Sequence, residues 1–167
     1  MKGVAGRMAA RPISIVPESL KLNLGCCDSH LKGFLNVDIC EPADVIADLT
    51  QRWPWDDSTV DQIAAWDIFE HLPDKIHTMN ETHRVLKPGG RLDLFVPTTD
   101  GRGAFQDPQH VSFWTPNDLW YYVEGFEQFE RLHRPYRITA RFRILQQSHT
   151  EASGRVWHLR AILEAVK

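Results

Sequence analysis

Between Leu20 and Trp66 the chain carries four short apolar runs, each closed by turn-forming or polar residues. They are Leu20 to Leu24, stopped at Gly25; "GFLNVDI" (Gly33 to Ile39); "ADVIADL" (Ala43 to Leu49), with Asp48 near its end; and "TVDQIAAW" (Thr59 to Trp66). Short runs that are apolar almost throughout suit strands covered on both faces, the condition of strands inside a parallel sheet. A parallel sheet aligns the strand ends along one edge, and open α/β sheets bind their ligands at that edge.

The middle and end of the chain fit the same plan. Pro73 suits a first helical turn, and the stretch through Leu86 carries Ile76, Met79, Val85 and Leu86 before "KPGG" stops it. "RLDLFVP" then reads as a fifth strand. The long connection "TTDGRGAFQDPQHVSFW" holds too many turn formers for regular structure, and a loop of that length in a compact domain is a place for function. Thr115 reads as an N-cap with Pro116 at the first helical position, opening a helix to about Glu124. The last stretch reads as two strands joined by a polar turn at Ser153-Gly154. Alternating strands and helices with a terminal hairpin indicate an α/β sandwich.

With 167 residues, the chain is long enough for one core without staples. Residues 1–16, basic and small, read as a flexible tail, and 17–167 as a single domain. A net charge of -3 argues against nucleic acid as the main partner, although the strip Arg131 to Arg143 is locally basic. Three cysteines, two of them adjacent, make no disulfide framework and fit a reducing cytoplasm. No apolar run approaches a membrane span, so no membrane partner is expected. Six Trp are many for this length and place some of them in grooves as well as the core.

The first four strand ends would present Gly25, Asp38, Asp48 and Trp66. Glycine lets backbone amides approach a ligand. A carboxylate at the end of the second strand can accept both hydrogens of a ribose diol. Asp48 can accept from an exocyclic adenine amine, with Leu49 and Trp55 as apolar faces for the ring. An adenosine-containing ligand fits these residue types.

The stretches "LNLGCC", "GFLNVDI", "ADVIADL", "WPWDDSTVDQI", "FEHL" and "HRVLKPGGRLDLFVP", in this order, resemble class I S-adenosylmethionine-dependent methyltransferases of the small bacterial, type 11-like kind. The resemblance covers residues 20 to 97 strongly. It implies a Rossmann-like three-layer sandwich, with a mostly parallel seven-stranded sheet ending in an antiparallel hairpin, and S-adenosylmethionine as cofactor. By the same resemblance Gly25 and Cys26 match the loop at the methionine end of the cofactor, and Asp38 the ribose acid. Asp48 and Leu49 match the adenine position, and Trp66 the position whose backbone lines the methionyl part. Two departures stand out. Cys27 occupies a usual glycine position, where a cysteine fits with a negative φ. The span from Gly25 to Asp38 is short, so the usual first helix is clipped or absent.

Methyl transfer from a sulfonium is an in-line displacement, and an oxygen or nitrogen acceptor must also lose a proton. His110, on the long loop, is the first candidate base and His71 the second, with Asp107 to orient the histidine or the acceptor. Phe105, Phe113, Trp114, Trp120 and Tyr121 are candidates to wall the acceptor site. His71, His77 and His83, each six residues apart, do not share a helical face, so no metal site is expected. The expected acceptor is a small or glycan-like molecule, and a homodimer is a candidate arrangement for completing the site. Two rivals are a methyltransferase-like binding module without catalysis and a nicotinamide-dependent oxidoreductase. Against the second stands the missing G-x-G-x-x-G.

Overall fold

The computed structural model describes residues 19–167; the expected tail, residues 1–16, lies outside them. Seven strands form one sheet in the order β3-β2-β1-β4-β5-β7-β6. They are β1 (Lys21–Leu24), β2 (Leu35–Asp38), β3 (Val45–Ile46), β4 (Val60–Trp66), β5 (Leu86–Pro97), β6 (Phe142–Ala152) and β7 (Val156–Ala165). The first five run parallel; β7 inserts antiparallel between β5 and β6. The sheet, the mostly parallel pairing and the terminal hairpin are those expected from the sequence. Among the described residues no helix is long and apolar enough to cross a membrane.

Helical cover is thin. Helix α1 (Lys75–Val85) joins β4 to β5, and two short helices, α2 (Gly103–Gln106) and α3 (Glu127–Leu132), follow β5. No helix separates β1 from β2, so the first helix is absent rather than clipped. Helix α1 begins after Pro73, because Asp74 is its N-cap and accepts from His77 N at 2.9 Å. The expected helix from Thr115 to Glu124 is a 3₁₀ segment, Pro116–Tyr121, since the Thr115/Asp118 capping box closes only its first turn. "KPGG" does not precede β5 but bulges within it. Val60 pairs with Leu86 and Gln62 with Arg91, and the residues between loop out around Gly89. The third run shortens to two paired residues, Val45 and Ile46, at one edge of the sheet.

The core lies on both faces of the central strands. Leu22, Leu24, Val37, Ile63, Leu92, Leu94, Val96, Leu159 and Leu163 are buried, with Trp53, Trp114, Phe69 and Phe142 filling the largest spaces. Trp53 and Trp55 meet edge to face at 6.3 Å around Pro54, a packed corner. Arg84 ties that corner to α1, donating to Trp53 O, Trp55 O, Asp57 and Glu81. The half-buried guanidinium thus satisfies two loop carbonyls and two carboxylates at once.

Candidate active site

The carboxyl ends of β1, β2 and β4 open into a cleft of about 170 Å³ lined by Gly25, Asp38, Ile39, Asp48, Leu49 and Ile68, with His71 at its rim. Gly25 has φ +65, and a Cβ there would stand 2.7 Å from the Ile68 side chain. Only glycine fits that turn and that contact together. Cys26 is buried, as its small side chain predicts, and its N–H donates to Val37 O at 3.1 Å. Cys27 does not have the expected negative φ; its φ is 39. The reason is local. In this conformation the Cys27 N–H donates to Asp38 Oδ2 at 2.8 Å, so one charge-assisted hydrogen bond offsets the strain.

Asp38 also accepts from the N–H of Ile39 at 2.7 Å and of Cys40 at 3.4 Å. Partial burial alone would raise its pKa, but the N–H groups of Cys27, Ile39 and Cys40 outweigh it and hold the carboxyl below the usual range. It is therefore a fixed anion at the mouth of the cleft. Asp48 accepts from Thr50 N and Thr50 Oγ1, which lower its pKa and set the turn carrying Leu49. Trp53 Nε1 donates to Leu49 O at 3.0 Å and braces that turn from the core. Ile39 is 68% exposed beside the cleft, an apolar face that sequence reading passed over; its position directly after the acid was the available signal. Trp66 lies elsewhere, half-exposed in a depression with Asp67, Phe95 and Arg160.

Next to this cleft is a larger cavity of about 410 Å³, lined among others by Asp67, Glu70, His71, Asp107, His110 and His158. His71 lines both. The cavity forms because the long loop after β5 folds back onto the 3₁₀ turn Phe69–His71. Val111 N and Ser112 N both donate to Glu70 O at 2.9 Å, and Ser112 Oγ donates to Phe69 O. Trp114, fully buried, anchors the loop through Nε1 to Ser112 Oγ. His71 and His110, distant in sequence, meet edge to face at 4.8 Å.

Hydrogen bonding fixes both rings. His71 Nδ1 faces Gln109 O at 3.2 Å, and His110 Nδ1 faces Ala104 O at 3.1 Å. A carbonyl only accepts, so in each neutral ring Nδ1 carries the hydrogen and Nε2 keeps the lone pair. Asp107 orients neither ring directly. Its Oδ1 accepts from Gln109 N at 2.8 Å and so sets the turn whose carbonyl holds His71. Glu70 is 2% exposed; its Oε1 lies 3.9 Å from His110 Nε2, and its Oε2 has no hydrogen-bond partner among the described residues. Burial, reinforced by the charges of Asp67 and Asp107, pushes its pKa up to about 8. Asp67, at φ 50, is also raised by burial, with His158, His110 and His71 opposing.

The structure thus brings His71, His110 and Asp107 to one cavity and adds Glu70, Asp67 and His158, the last from the terminal hairpin. The expected aromatic wall is not there. Trp114 is in the core, Phe105 stacks on Phe113 at the surface, Trp120 on Phe126, and Tyr121 on Tyr136.

Residues 22–94 match the family model described as "Methyltransferase domain". That segment spans β1 through most of β5 and includes Gly25, Asp38, Asp48 and His71. That match covers under half of the chain; the segment, with the seven-stranded sheet around it, is similar to the class I S-adenosylmethionine-dependent methyltransferases.

A sterol 4-C-methyltransferase of Caenorhabditis elegans is 25% identical over 128 residues, 75% of this chain and 32% of that protein. A 27-O-demethylrifamycin SV methyltransferase of Amycolatopsis mediterranei is 42% identical over 55 residues, 30% of this chain and 20% of that one. The chain therefore spans only a third or less of the curated relatives it matches. The Burkholderia thailandensis 1,6-didemethyltoxoflavin-N1-methyltransferase, solved with 1,6-didemethyltoxoflavin and S-adenosylhomocysteine bound, has the same fold. Its TM-score is 0.63 at 13% identity, over 89% of this chain and 72% of that one.

Proposed function

We propose that the protein transfers the methyl group of S-adenosylmethionine to an oxygen or nitrogen of a small or glycan-like acceptor. One observation carries the reading: His71 is shared by the cleft at Gly25, Asp38 and Leu49 and by the larger polar cavity. A cofactor lying along the first, with its ribose at Asp38 and its ring between Ile39 and Leu49, would direct its methyl group towards the second. An acceptor there meets two imidazole Nε2 lone pairs, one from His71 and one from His110, either of which can take its proton. The bond from sulfur to methyl breaks as the bond from methyl to the acceptor atom forms, leaving S-adenosylhomocysteine.

The names of the three relatives speak of carbon, oxygen and nitrogen acceptors respectively, so they support methyl transfer without narrowing the atom. The polar lining of the cavity, with His, Asp and Glu side chains, favours an acceptor that hydrogen-bonds.

Calorimetric titration with S-adenosylmethionine, S-adenosylhomocysteine and NAD tests the first half. Micromolar binding of the first two, lost in Asp38→Ala, is expected; a folded protein that binds neither returns the binding-module reading. Transfer of labelled methyl to polyhydroxylated or amine acceptors, slowed by His110→Ala with S-adenosylhomocysteine binding intact, tests the second.

A further inference from the structure

We infer that Glu70, His71 and His110 form a binding site for one divalent first-row transition-metal cation, zinc by donor set, on the wall of the polar cavity. One potential ligand atom from each residue lies within 4.8 Å of the others. Three separate features point the same way. The first is the orphan oxygen: Glu70 is buried, yet Oε2 meets no donor among the described residues, and an unpaired buried carboxylate oxygen is costly unless something occupies it.

The second is the pair of backbone carbonyls. Imidazoles that ligate metals donate their other ring N–H to a carbonyl or carboxylate, which fixes the tautomer and aims the lone pair. Both rings do this here, through Gln109 O and Ala104 O. The third is the surrounding charge. The carboxylates of Asp67 and Asp107 line the same cavity and give it a negative field that favours a cation.

Donor chemistry chooses the metal. Two imidazoles and one carboxylate suit zinc or iron(II), manganese, cobalt and nickel, whereas magnesium and calcium prefer oxygen alone. Three protein ligands leave a fourth position open to water or to an acceptor oxygen. In a tetrahedral site with bonds of about 2.0–2.2 Å, neighbouring ligand atoms stand roughly 3.4 Å apart. Glu70 Oε1 and His110 Nε2, at 3.9 Å, need only a small side-chain rotation to reach that spacing. The regular spacing of His71, His77 and His83 argued against a metal, and it still does. The tertiary fold replaces His77 and His83 with Glu70 and His110.

The site's role in methyl transfer rests on the function proposed above, with a bound metal, which occupies both Nε2 lone pairs, replacing the imidazoles in lowering the pKa of the acceptor; binding itself does not rest on that function. Untagged full-length protein, stripped with a chelator, would be titrated calorimetrically with Zn²⁺ and followed by visible absorption with Co²⁺. One equivalent is expected, with the intense absorption of a four-coordinate cobalt site. Affinity should fall at least about tenfold in both Glu70→Gln and His110→Ala. It should be unchanged in His77→Ala, which removes an imidazole on α1 bound to Gln51 O. No binding by the wild type, or equal binding by all three variants with circular dichroism showing them folded, overturns the proposal. S-adenosylhomocysteine titrated into the same samples separates the two readings: its failure with zinc retained removes the methyltransferase function and leaves the metal site.

Discussion

Asp38 ends β2 with both carboxylate oxygens taken by backbone N–H groups, whereas Glu70, just past β4, is buried with one oxygen unmet by any described residue. The first is held as an anion and the second is driven towards its neutral form. Both belong to clefts at the same edge of the sheet. The difference shows that the cleft at Gly25 and Asp38 is finished by its own backbone, while the larger cavity keeps polar capacity in reserve. On the proposed function, the first would bind its cofactor through groups the fold has already satisfied, and the larger cavity its acceptor through groups left open.

The largest effect is expected at the foundation of the first region. Gly25→Val places a side chain against Ile68 and forces a branched residue to positive φ. It should cost about 2–3 kcal/mol in chemical denaturation and abolish S-adenosylhomocysteine binding. Retained binding would mean that this turn is not the cofactor loop.

The two carboxylates give the direct contrast. Asp38→Ala removes an ionised acceptor from three N–H groups and, on the proposed function, from a ribose, and should weaken S-adenosylhomocysteine about 30-fold, or about 2 kcal/mol. Glu70→Gln exchanges one neutral group for another of the same shape. Stability at pH 7 should stay within about 0.5 kcal/mol, and cofactor affinity should not change. Equal losses from both changes would break the comparison.

Acid should distinguish them as well. Asp38 has a folded pKa below its unfolded value of 3.8, so its contribution to stability is complete above about pH 4. It is lost as pH falls through the depressed folded pKa. Denaturation midpoints of the wild type should therefore fall more steeply below pH 4 than those of Asp38→Asn.

The smallest effect belongs to Cys27. Cys27→Gly relieves the positive φ while keeping the N–H that Asp38 accepts, and should raise stability by about 0.5–1 kcal/mol with cofactor affinity equal or better. A loss of stability would show that the thiol contributes packing at that turn.

The cleft at the strand ends was legible residue by residue because its elements are local: a strand, a turn and an acid a few positions on, repeated along the chain. Gly25, Asp38, Asp48 and Leu49 all line one cleft, while the short span between Gly25 and Asp38 became a loop without a helix. Cys27 was misjudged at φ because its conformation is set by a hydrogen bond to a side chain eleven residues away. The aromatic loop residues were misplaced because sequence tells that a ring is apolar and not which way it turns in the fold.

Sequence by itself determined the strand pattern and the hairpin, since these follow from apolar period and turn residues that act over short range. Only tertiary structure decided that Glu70, His71 and His110 share one cavity. That meeting depends on Val111 and Ser112 hydrogen-bonding back to Glu70 O, a long-range closure that no local propensity encodes.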